Sequence, residues 1–360
     1  MEHMLNFDSI LDGTDDAIII VNEEHKIIFE NTQAEQIFGN NFKGMPLSNL
    51  IRDSSIIETY QSVLKNKDIQ STEYAVPNFS DNLTMRDNVF NVKISYREHN
   101  KGDFITIILK NITEQINLER LRSDFIANVS HELKTPMSTI IGCLETIKSA
   151  AANDLNAQKK FLDIMSIEAN RMNRLIEDLL TISKIESNEH IFPTNKINIL
   201  DTVNQVVQNL DKSAKKRNII FKINSSDQSY FILGNSDELI QVFSNLFENS
   251  IKYANKDSEV FIVIDIEINN IVNSIKPLSL SNVVIKLTDK SEGIAKNHLN
   301  RLTERFYRID AARSKEVGGT GLGLAIVKHI LKKHRATLEI DSTVGVGSTF
   351  TIAFPLVPIS

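Results

Sequence analysis

The feature that most constrains the fold is a long series of apolar residues, spaced three and four positions apart, that begins near Glu114. This spacing places the side chains on one stripe of an α-helix. The segment "AANDLNA" at 151–157 interrupts the series, and a second series follows it. The two stripes contain Leu118, Leu121, Phe125, Val129, Leu133, Met137, Ile140, Leu144 and Ile147, and then Phe161, Met165, Met172, Leu175, Leu179 and Ile182.

This pattern predicts two long helices joined by a short loop, which is an αα-hairpin. A single hairpin cannot cover its own apolar stripe well. Pairing of two hairpins in a four-helix bundle is the natural way to bury it. The sequence therefore predicts a homodimer.

The segments on both sides of the hairpin have mixed α/β patterns. Before it, "DDAIIIVNEEHKIIFEN" predicts strand, turn and strand, "NTQAEQIFG" a short helix that ends at Gly39, and "VFNVKISYRE" and "DFITIILKNIT" two further strands. After it, we expect helices near 200–217, 236–254 and 323–335, and strands near 218–223, 260–268, 282–288, 337–341 and 348–354.

These elements predict three domains, at 1–112, 113–189 and 190–360. The last domain is expected to be an α+β layer structure with helices on one face of a mostly antiparallel sheet. The segment "NNIVNSIKPLSLSN" at 269–282 is predicted to be a long hairpin loop.

Composition excludes several classes of protein. A net charge of −6 argues against a general nucleic-acid binder, which would be basic. The single cysteine, Cys143, excludes a disulfide framework and a multi-cysteine metal site. No apolar run is long enough to cross a bilayer and no signal-peptide pattern opens the chain. We expect a cytoplasmic chain without a membrane span, associated with a membrane only if the natural chain is longer.

One histidine lies on the polar side of the first predicted helix. In "FIANVSHELKTPM", His131 points about 200° away from Val129, at roughly 100° per residue. Glu132 is its neighbour and Thr135 follows one turn later on the same face. Pro136 has no N–H for the carbonyl of Glu132, which allows a bend. A plain surface histidine remains the alternative interpretation.

The chemistry of this group suits a nucleophile. Free imidazole has a pKa of about 6.5, so much of it is neutral and nucleophilic near pH 7. It needs one nitrogen held by a hydrogen bond and the developing positive charge balanced, and a carboxylate such as Glu132 can do both. Thr135 can orient a water one turn away.

The last third contains two features suited to phosphate. Asn245, Asn249 and Lys252 share one face of a predicted helix, and an Asn carbonyl oxygen is a suitable ligand for Mg²⁺. The glycine-rich run "GGTGLGLAIVKHI" at 318–330 precedes a helix, whose N-terminus favours an anion. A solvated polar stripe and an ordinary glycine turn are the alternatives for each feature alone.

The order of motifs resembles a known family. "SHELKTP" resembles the phosphoacceptor box of sensor histidine kinases. The succession "NLFENSIKY", "DKSEGI", "RFYR" and "GGTGLGLAIVKH" resembles their ATP-binding domain. "LTERFYRIDAARSKEVGGTGLGLAIVKHI" is most similar to the phosphate-regulon type, and "SILDGTDDAIIIVNEEHKIIFENTQAEQIFG" resembles the start of a PAS sensory domain.

The resemblance implies a fold and a function. The fold is a multidomain α+β chain with a PAS-like mixed domain, a two-helix dimerisation hairpin and an α/β-sandwich ATP-binding domain of the histidine kinase/gyrase/Hsp90 type. The function is that of a protein-histidine kinase in two-component signalling, with phosphate as one candidate signal. ATP with Mg²⁺ would phosphorylate a histidine, and an aspartate of a response regulator would then receive the phosphoryl group.

The resemblance also implies roles for individual residues. His131 would be the phosphoacceptor, Glu132 would assist it, and Thr135 would serve removal of phosphate from the partner. Asp289 would accept a hydrogen bond from the adenine amino group, and Arg305 would face the terminal phosphate. Asn249 would hold Mg²⁺, and the glycines at 319, 321 and 323 would belong to a mobile lid. The complete implied ATP site is Asn245, Asn249, Lys252, Tyr253, Asp289, Gly293, Arg305, Gly319, Thr320, Gly321, Leu322 and Gly323.

One residue departs from the family pattern. Ser291 in "DKSEGI" stands where the first glycine after the adenine-binding Asp is usual. If that position needs a positive φ, Ser would strain it by roughly 1 kcal/mol and weaken ATP binding. This leaves a rival hypothesis, a degenerate nucleotide-binding signalling adaptor without kinase activity. A chaperone or topoisomerase-type ATPase is disfavoured because it leaves "SHELKTP" unexplained.

Overall fold

The structure is a computed structural model that describes residues 7–39, 42–76, 88–100, 102–226, 230–271, 278–309 and 319–356. These residues group into two compact units, 1–126 and 127–360. Each unit is described by itself.

The first unit is built on a five-stranded antiparallel sheet. Its strand order is β2-β1-β5-β4-β3. The strands are β1 Ala17–Asn22, β2 Ile27–Glu30, β3 Ile69–Val76, β4 Asn88–Arg97 and β5 Phe104–Asn111, and the helices are α1 Phe7–Asp12, α2 Thr32–Phe38 and α3 Ser54–Asn66. One face packs on α2 and α3 to form a core rich in Ile and Val. This architecture agrees with the expected PAS-like domain.

The predicted strand, turn, strand and helix are confirmed in this unit. Asn31 caps α2, because its side chain accepts a hydrogen bond from the amide of Ala34. Gly39 ends the helix with φ 95°, a conformation that glycine adopts readily. Helix α3 and strand β3 were not located from the sequence, since β3 alternates between exposed and half-buried residues and buries no complete face.

The two long helices of the hairpin are also confirmed. They are α4 Thr113–Lys148 and α5 Leu155–Ser187. Asp154, inside the interrupting segment, caps α5 by accepting hydrogen bonds from the amides of Asn156 and Ala157. The break in the apolar series therefore coincides with a true helix start.

The apolar residues of the hairpin have two different fates. Several large side chains stay exposed in the single chain, among them Met137, Ile141, Leu144, Leu162, Ile167 and Leu180. Leu175 and Ile182 of the predicted stripe are instead buried, together with Ile185, in the core of the C-terminal sheet domain. The periodicity identified the helix, but it did not show which neighbour covers each part.

The C-terminal part of the second unit is a sheet covered by helices. The main sheet has the order β11-β12-β10-β9-β7, and all its pairs are antiparallel except β7 with β9. Its strands are β7 Ile220–Ser225, β9 Glu259–Ile271, β10 Leu278–Asp289, β11 Thr337–Thr343 and β12 Gly347–Pro355. A small second sheet pairs β6 Asn195–Asn198 with β8 Phe231–Gly234. The helices are α6 Ile199–Lys215, α7 Ser236–Tyr253, α8 Lys296–Leu299 and α9 Gly323–Lys333.

The predicted α+β layer is confirmed, with one correction. The segment 269–282 was expected to be a long loop, and that prediction is wrong at both ends. Strand β9 continues to Ile271 and β10 starts at Leu278, where these two residues pair. The polar residues of the segment hid the continuing ladder, since backbone hydrogen bonds do not require apolar side chains. Residues 272–277 lie outside the described residues.

Helix α7 is anchored by its aromatic face and by an arginine. Phe243 and Phe247 are fully buried in the core. At the C-terminal end, the guanidinium of Arg217 donates to the carbonyls of Ile251, Lys252 and Ala254, with the contact to Ile251 at 2.6 Å and that to Ala254 at 3.1 Å. The last carbonyls of a helix lack intrahelical partners, so this cation satisfies them and opposes the negative end of the helix dipole.

We expect Arg217→Ala to lower the free energy of unfolding by about 2–3 kcal/mol, because buried carbonyls lose a charged donor. Arg217→Lys should recover part of the loss, since an ammonium cannot span three carbonyls. Chemical denaturation measures both changes. The neighbouring Lys216→Ala serves as the control, because Lys216 is exposed. Equal stability of the Arg217→Ala and Lys216→Ala variants would refute the capping role.

Candidate phosphoacceptor and nucleotide site

His131 lies on α4 with its side chain exposed, as predicted from its position opposite the apolar stripe. The helix continues without interruption from Thr113 to Lys148, past Pro136. Pro136 itself is buried. The imidazole is therefore open to a reactant from the solvent side of the hairpin.

Glu132 has a different partner from the one that sequence reasoning proposed. Its carboxylate accepts a hydrogen bond from the guanidinium of Arg171 on α5, at 3.0 Å. A second carboxylate, Glu168, lies 3.9 Å from the same guanidinium. In this arrangement the ion pair links the two hairpin helices and orients Glu132 beside the phosphoacceptor candidate.

Thr135 is exposed one turn after His131, and its hydroxyl donates to the carbonyl of His131 at 3.2 Å. The oxygen of this hydroxyl keeps lone pairs free to accept from a water. The side chain thus lies on the same open face as the imidazole, as the helical spacing predicted.

The polar face of α7 carries three of the predicted nucleotide-site residues. The Asn245 amide donates to the carbonyl of Gly323 at 3.1 Å and accepts from Gln241, also at 3.1 Å. Asn249 is half-buried on the same helix, and Lys252 pairs with Glu248 at 3.3 Å. The Asn245 contact joins the asparagine helix to the start of α9, so the two predicted phosphate features lie side by side.

Asp289 ends β10 in a buried position, with 5% of its surface exposed. Burial raises the pKa of its carboxyl above the ordinary value. The hydroxyls of Ser291 and Ser250 and the amides of Ser348 and Ser291 act in the opposite direction and lower that pKa. A buried carboxylate with hydrogen-bonding neighbours is suited to recognising a ligand donor, such as the exocyclic amino group of adenine.

The expectation of strain at Ser291 is wrong. Ser291 is absent from the residues with positive φ and forms an antiparallel bridge with Ala254. The residue that needs the left-handed conformation is Gly293, at φ +72°. A Cβ at Gly293 would lie 2.1 Å from the carbonyl oxygen of Thr343. The second glycine of the box is therefore required by geometry and the first is not.

The described end of the predicted lid contacts the loop that contains Arg305. Gly321 has φ +74° and its carbonyl accepts from the amide of Phe306 at 2.9 Å. A Cβ at Gly321 would come within 2.9 Å of the Phe306 backbone. A Cβ at Gly319 would lie 3.8 Å from the Tyr253 hydroxyl. Leu322 is fully buried and Gly323 opens α9. Residues 310–318, the other part of the lid and its flank, lie outside the described residues.

Helix α5 places two carboxylates against this site. Glu186 accepts a hydrogen bond from Arg305, the residue expected to face the terminal phosphate. Asp178 accepts from the hydroxyl of Thr320 at 2.8 Å. Burial raises the pKa of Asp178, while the Thr320 hydroxyl and the positive charge of Lys252 lower it. Two residues of the implied ATP site, Arg305 and Thr320, are thus held by carboxylates of the hairpin.

Sequence reasoning did not find Arg171, Asp178 or Glu186. Each contacts a predicted site residue that is distant along the chain, and each looks in the sequence like an ordinary charged residue on a helical surface. The only available signal was their place on α5 near the polar side, which does not distinguish them from their neighbours.

Two family models match the chain in the places that carry these sites. Residues 121–188 match the His Kinase A (phospho-acceptor) domain. Residues 234–358 match the histidine kinase-, DNA gyrase B-, and HSP90-like ATPase. The first match contains His131, and the second contains the implied ATP-site residues.

Curated relatives have similar sequences over most of the length of this chain. The phosphate regulon sensor protein PhoR of Pseudomonas aeruginosa is 32% identical over 344 residues, which cover 94% of this chain and 72% of that protein. The sensor histidine kinase WalK of Bacillus subtilis is 30% identical over 350 residues, 96% of this chain and 54% of WalK. The chain thus spans only about half the length of some curated relatives.

A solved structure has a similar fold. It is the histidine kinase ThkA in complex with the response regulator protein TrrA, with a TM-score of 0.52 and 21% identity over 97% of this chain and 98% of that one. Across the described residues, no helix combines the length and low polarity needed to cross a bilayer.

The fold and the two sites define a protein with a phosphoacceptor hairpin followed by an ATP-binding domain. The chain belongs to the sensor histidine kinase family, and its relatives include the phosphate-regulon type.

We expect Gly293→Ala to destabilise the second unit by on the order of 3 kcal/mol, because a methyl group would displace the Thr343 backbone in addition to the conformational cost. Gly345→Ala is the matched control. Gly345 has φ +82° but nothing within 4 Å of an added Cβ, so the cost should be roughly 1 kcal/mol. Unfolding by denaturant measures both changes. Similar losses in the two variants would contradict the steric argument.

We expect Asp289→Asn to increase stability near neutral pH while weakening ATP binding. Because burial raises the folded-state pKa of Asp289, ionisation destabilises the folded chain as pH rises from the ordinary Asp pKa through the raised one. Each unit of upward shift corresponds to about 1.4 kcal/mol, which the neutral amide would restore.

Thermal unfolding, measured from about pH 3 to about pH 8 so that the titration of Asp is covered, tests the predicted change in stability. The stability of the Asn variant should no longer decline as pH rises. Its affinity for ATP should fall about tenfold or more, because the charged acceptor is lost. The exposed Asp341→Asn is the control, without either effect. A less stable Asp289→Asn variant at neutral pH would show that burial is not the dominant influence.

Proposed function

We propose that this chain is an ATP-dependent protein-histidine kinase in two-component signalling. It autophosphorylates on His131 and passes the phosphoryl group to an aspartate of a response regulator. The observation that carries this proposal is the exposed imidazole of His131 on a hairpin that also packs against the nucleotide domain through Leu175, Ile182 and Ile185. Donor and acceptor of the phosphoryl group therefore belong to one folded unit.

The chemical step is an in-line transfer. A ring nitrogen of His131 forms a bond to the γ-phosphorus while the bond from that phosphorus to the bridging oxygen of ADP breaks. Glu132 balances the developing imidazolium charge and accepts its proton, either directly or after the Arg171 pair rearranges. Catalysis rests on positioning and charge neutralisation, with Lys252 and Arg305 directed at the phosphates.

The residues present fit a magnesium nucleotide. Asn249 is half-buried on the polar face of α7 and offers a carboxamide oxygen, a hard ligand that Mg²⁺ accepts alongside waters and phosphate oxygens. When bound, the ion neutralises phosphate charge. In this proposal the nucleotide is surrounded by Asn245, Lys252, Tyr253, Asp289, Gly293, Arg305 and the lid residues Gly319, Thr320, Gly321, Leu322 and Gly323.

The observed arrangement corresponds to a resting state. Arg305 and Thr320 are bound to Glu186 and Asp178 of α5, so these side chains must exchange carboxylate for phosphate before transfer. The ATP-binding domain then moves along the hairpin toward His131. Charge-assisted bonds to phosphate are strong enough to replace those to a carboxylate.

Assembly and partners follow from the hairpin surface. The exposed apolar residues Met137, Ile141 and Leu144 on α4 support a homodimer through a four-helix bundle. The open face around His131 would receive the response regulator. Thr135 would orient a water for the reverse phosphatase reaction. A sensory role for the PAS-like domain, a phosphate response and a cytoplasmic location remain predictions.

The test is incubation with ATP labelled in the γ-phosphate. The wild type should acquire an acid-labile, alkali-stable phosphoryl group, and His131→Gln should acquire none. His190→Gln is the matched control, since His190 is an exposed histidine just after the same hairpin. Labelling of His131→Gln at the wild-type level would exclude His131 as the acceptor. No labelling of the wild type, with ATP bound, would favour the signalling adaptor.

A further inference from the structure

The departure at Ser291 places a buried hydroxyl in the nucleotide domain beside Asp289. Only 7% of the surface of Ser291 is exposed. Its hydroxyl oxygen lies 3.4 Å from the hydroxyl of Ser348 and 3.4 Å from the amide nitrogen of Gly293, which donates to it. The same hydroxyl bonds to the Asp289 carboxylate and lowers its pKa. A polar side chain thus stands next to the base-recognition carboxylate.

A chain of hydroxyls fixes the direction of these hydrogen bonds. Ser342 donates its proton to the carbonyl of Gly347 at 2.8 Å and accepts from the amide of Ile294 at 2.7 Å. Ser348, 2.9 Å away, then donates to Ser342 and has only acceptor capacity left toward Ser291. Ser291 therefore keeps one proton to donate, and the neighbours able to take it are the Ser348 oxygen and Asp289.

The position of this hydroxyl is set by the backbone. Ser291 bridges to Ala254 at the end of α7, and the amide of Asn255 donates to the carbonyl of Lys290 at 2.8 Å. The residue lies outside the left-handed region, so Ser is accommodated there without strain. The hydroxyl is held on the framework that also holds Asp289.

We propose that Ser291 is a specificity-determining residue that donates a hydrogen bond to the N1 nitrogen of adenine. This inference rests on the proposed ATP-binding function and deepens it. Adenine presents an amino donor at C6 and a ring acceptor at N1, side by side. The ionised carboxylate of Asp289 accepts from the amino group but has no proton for N1. The Ser291 hydroxyl here donates to Asp289. When the adenine amino group takes that acceptor, the hydroxyl turns its proton to N1, so the pair matches both positions of the edge.

The assignment has a consequence for other bases. Guanine presents an oxygen acceptor at C6 and an N–H donor at N1, the reverse pattern. The Asp289 carboxylate would face that oxygen with no proton between them, and the Ser291 hydroxyl would have to turn its proton away from N1. A site built to hydrogen-bond one pattern discriminates strongly against a base that leaves its buried groups unpaired. In this reading, Ser291 adds to the selection of adenine instead of marking a degenerate site.

The experiment compares ATP with its 1-deaza analogue, in which a C–H replaces N1, by calorimetric titration of the full chain. The wild type should bind ATP about five- to tenfold more tightly, the value of one hydrogen bond. The Ser291→Ala and Ser291→Gly variants should bind ATP and the 1-deaza analogue with nearly equal affinity, so that the ratio of the two affinities is near one. Ser258→Ala, which removes a hydroxyl that donates to the carbonyl of Asn255, should keep the wild-type ratio.

The outcomes separate this inference from the proposed function. An unchanged ratio in both Ser291 variants, with ATP still bound, overturns the role of Ser291 and leaves the kinase proposal standing. A wild type that binds neither nucleotide overturns both. Thermal unfolding verifies that the variants are folded. If the alanine variant is unstable, the Ser291→Gly variant, which restores the family pattern, carries the test of the hydrogen bond to N1.

Discussion

The structure depends on the apolar face of α5, which continues the core of the nucleotide domain into the hairpin. Leu175, Ile182 and Ile185 are buried with residues of the C-terminal sheet domain. Burying such side chains contributes roughly 1.5–3 kcal/mol each, so this contact can hold two elements that would otherwise move independently. It also brings the polar side of α5 to the lid, and hence Asp178 to Thr320 and Glu186 to Arg305.

Helix α7 has a buried aromatic face and a polar face. Phe243 and Phe247 fix one face in the core, and Asn245, Asn249 and Lys252 use the other. The cap from Arg217 fixes the end at which Lys252 lies. Because both faces share a rigid backbone, the position of the amide and ammonium groups follows from the packing of the phenylalanines. This is how an ordinary amphipathic helix can present a polar surface in a fixed position.

Much of the fold could be predicted from the sequence, because periodicity is local. The hairpin, the glycine-ended helix α2 and most strands of both sheets follow from spacing and turn residues. The position of His131 opposite the apolar stripe was also readable. Pairings across the chain were not: Arg171 with Glu132, and Asp178 with Thr320, join distant residues. The strain expected at Ser291 failed because the sequence does not give φ, and Gly293 proved to be the position that needs glycine.

The contact between Arg305 and Glu186 has a consequence for energetics. In the proposed function Arg305 binds the terminal phosphate, so while α5 holds Arg305 only the fraction of molecules with that arginine released is competent to bind it. The apparent dissociation constant is the intrinsic one divided by this fraction. A nucleotide domain separated from its hairpin would therefore overstate the affinity of the whole chain. Any input that loosens α5 would act as an affinity regulator without touching the pocket.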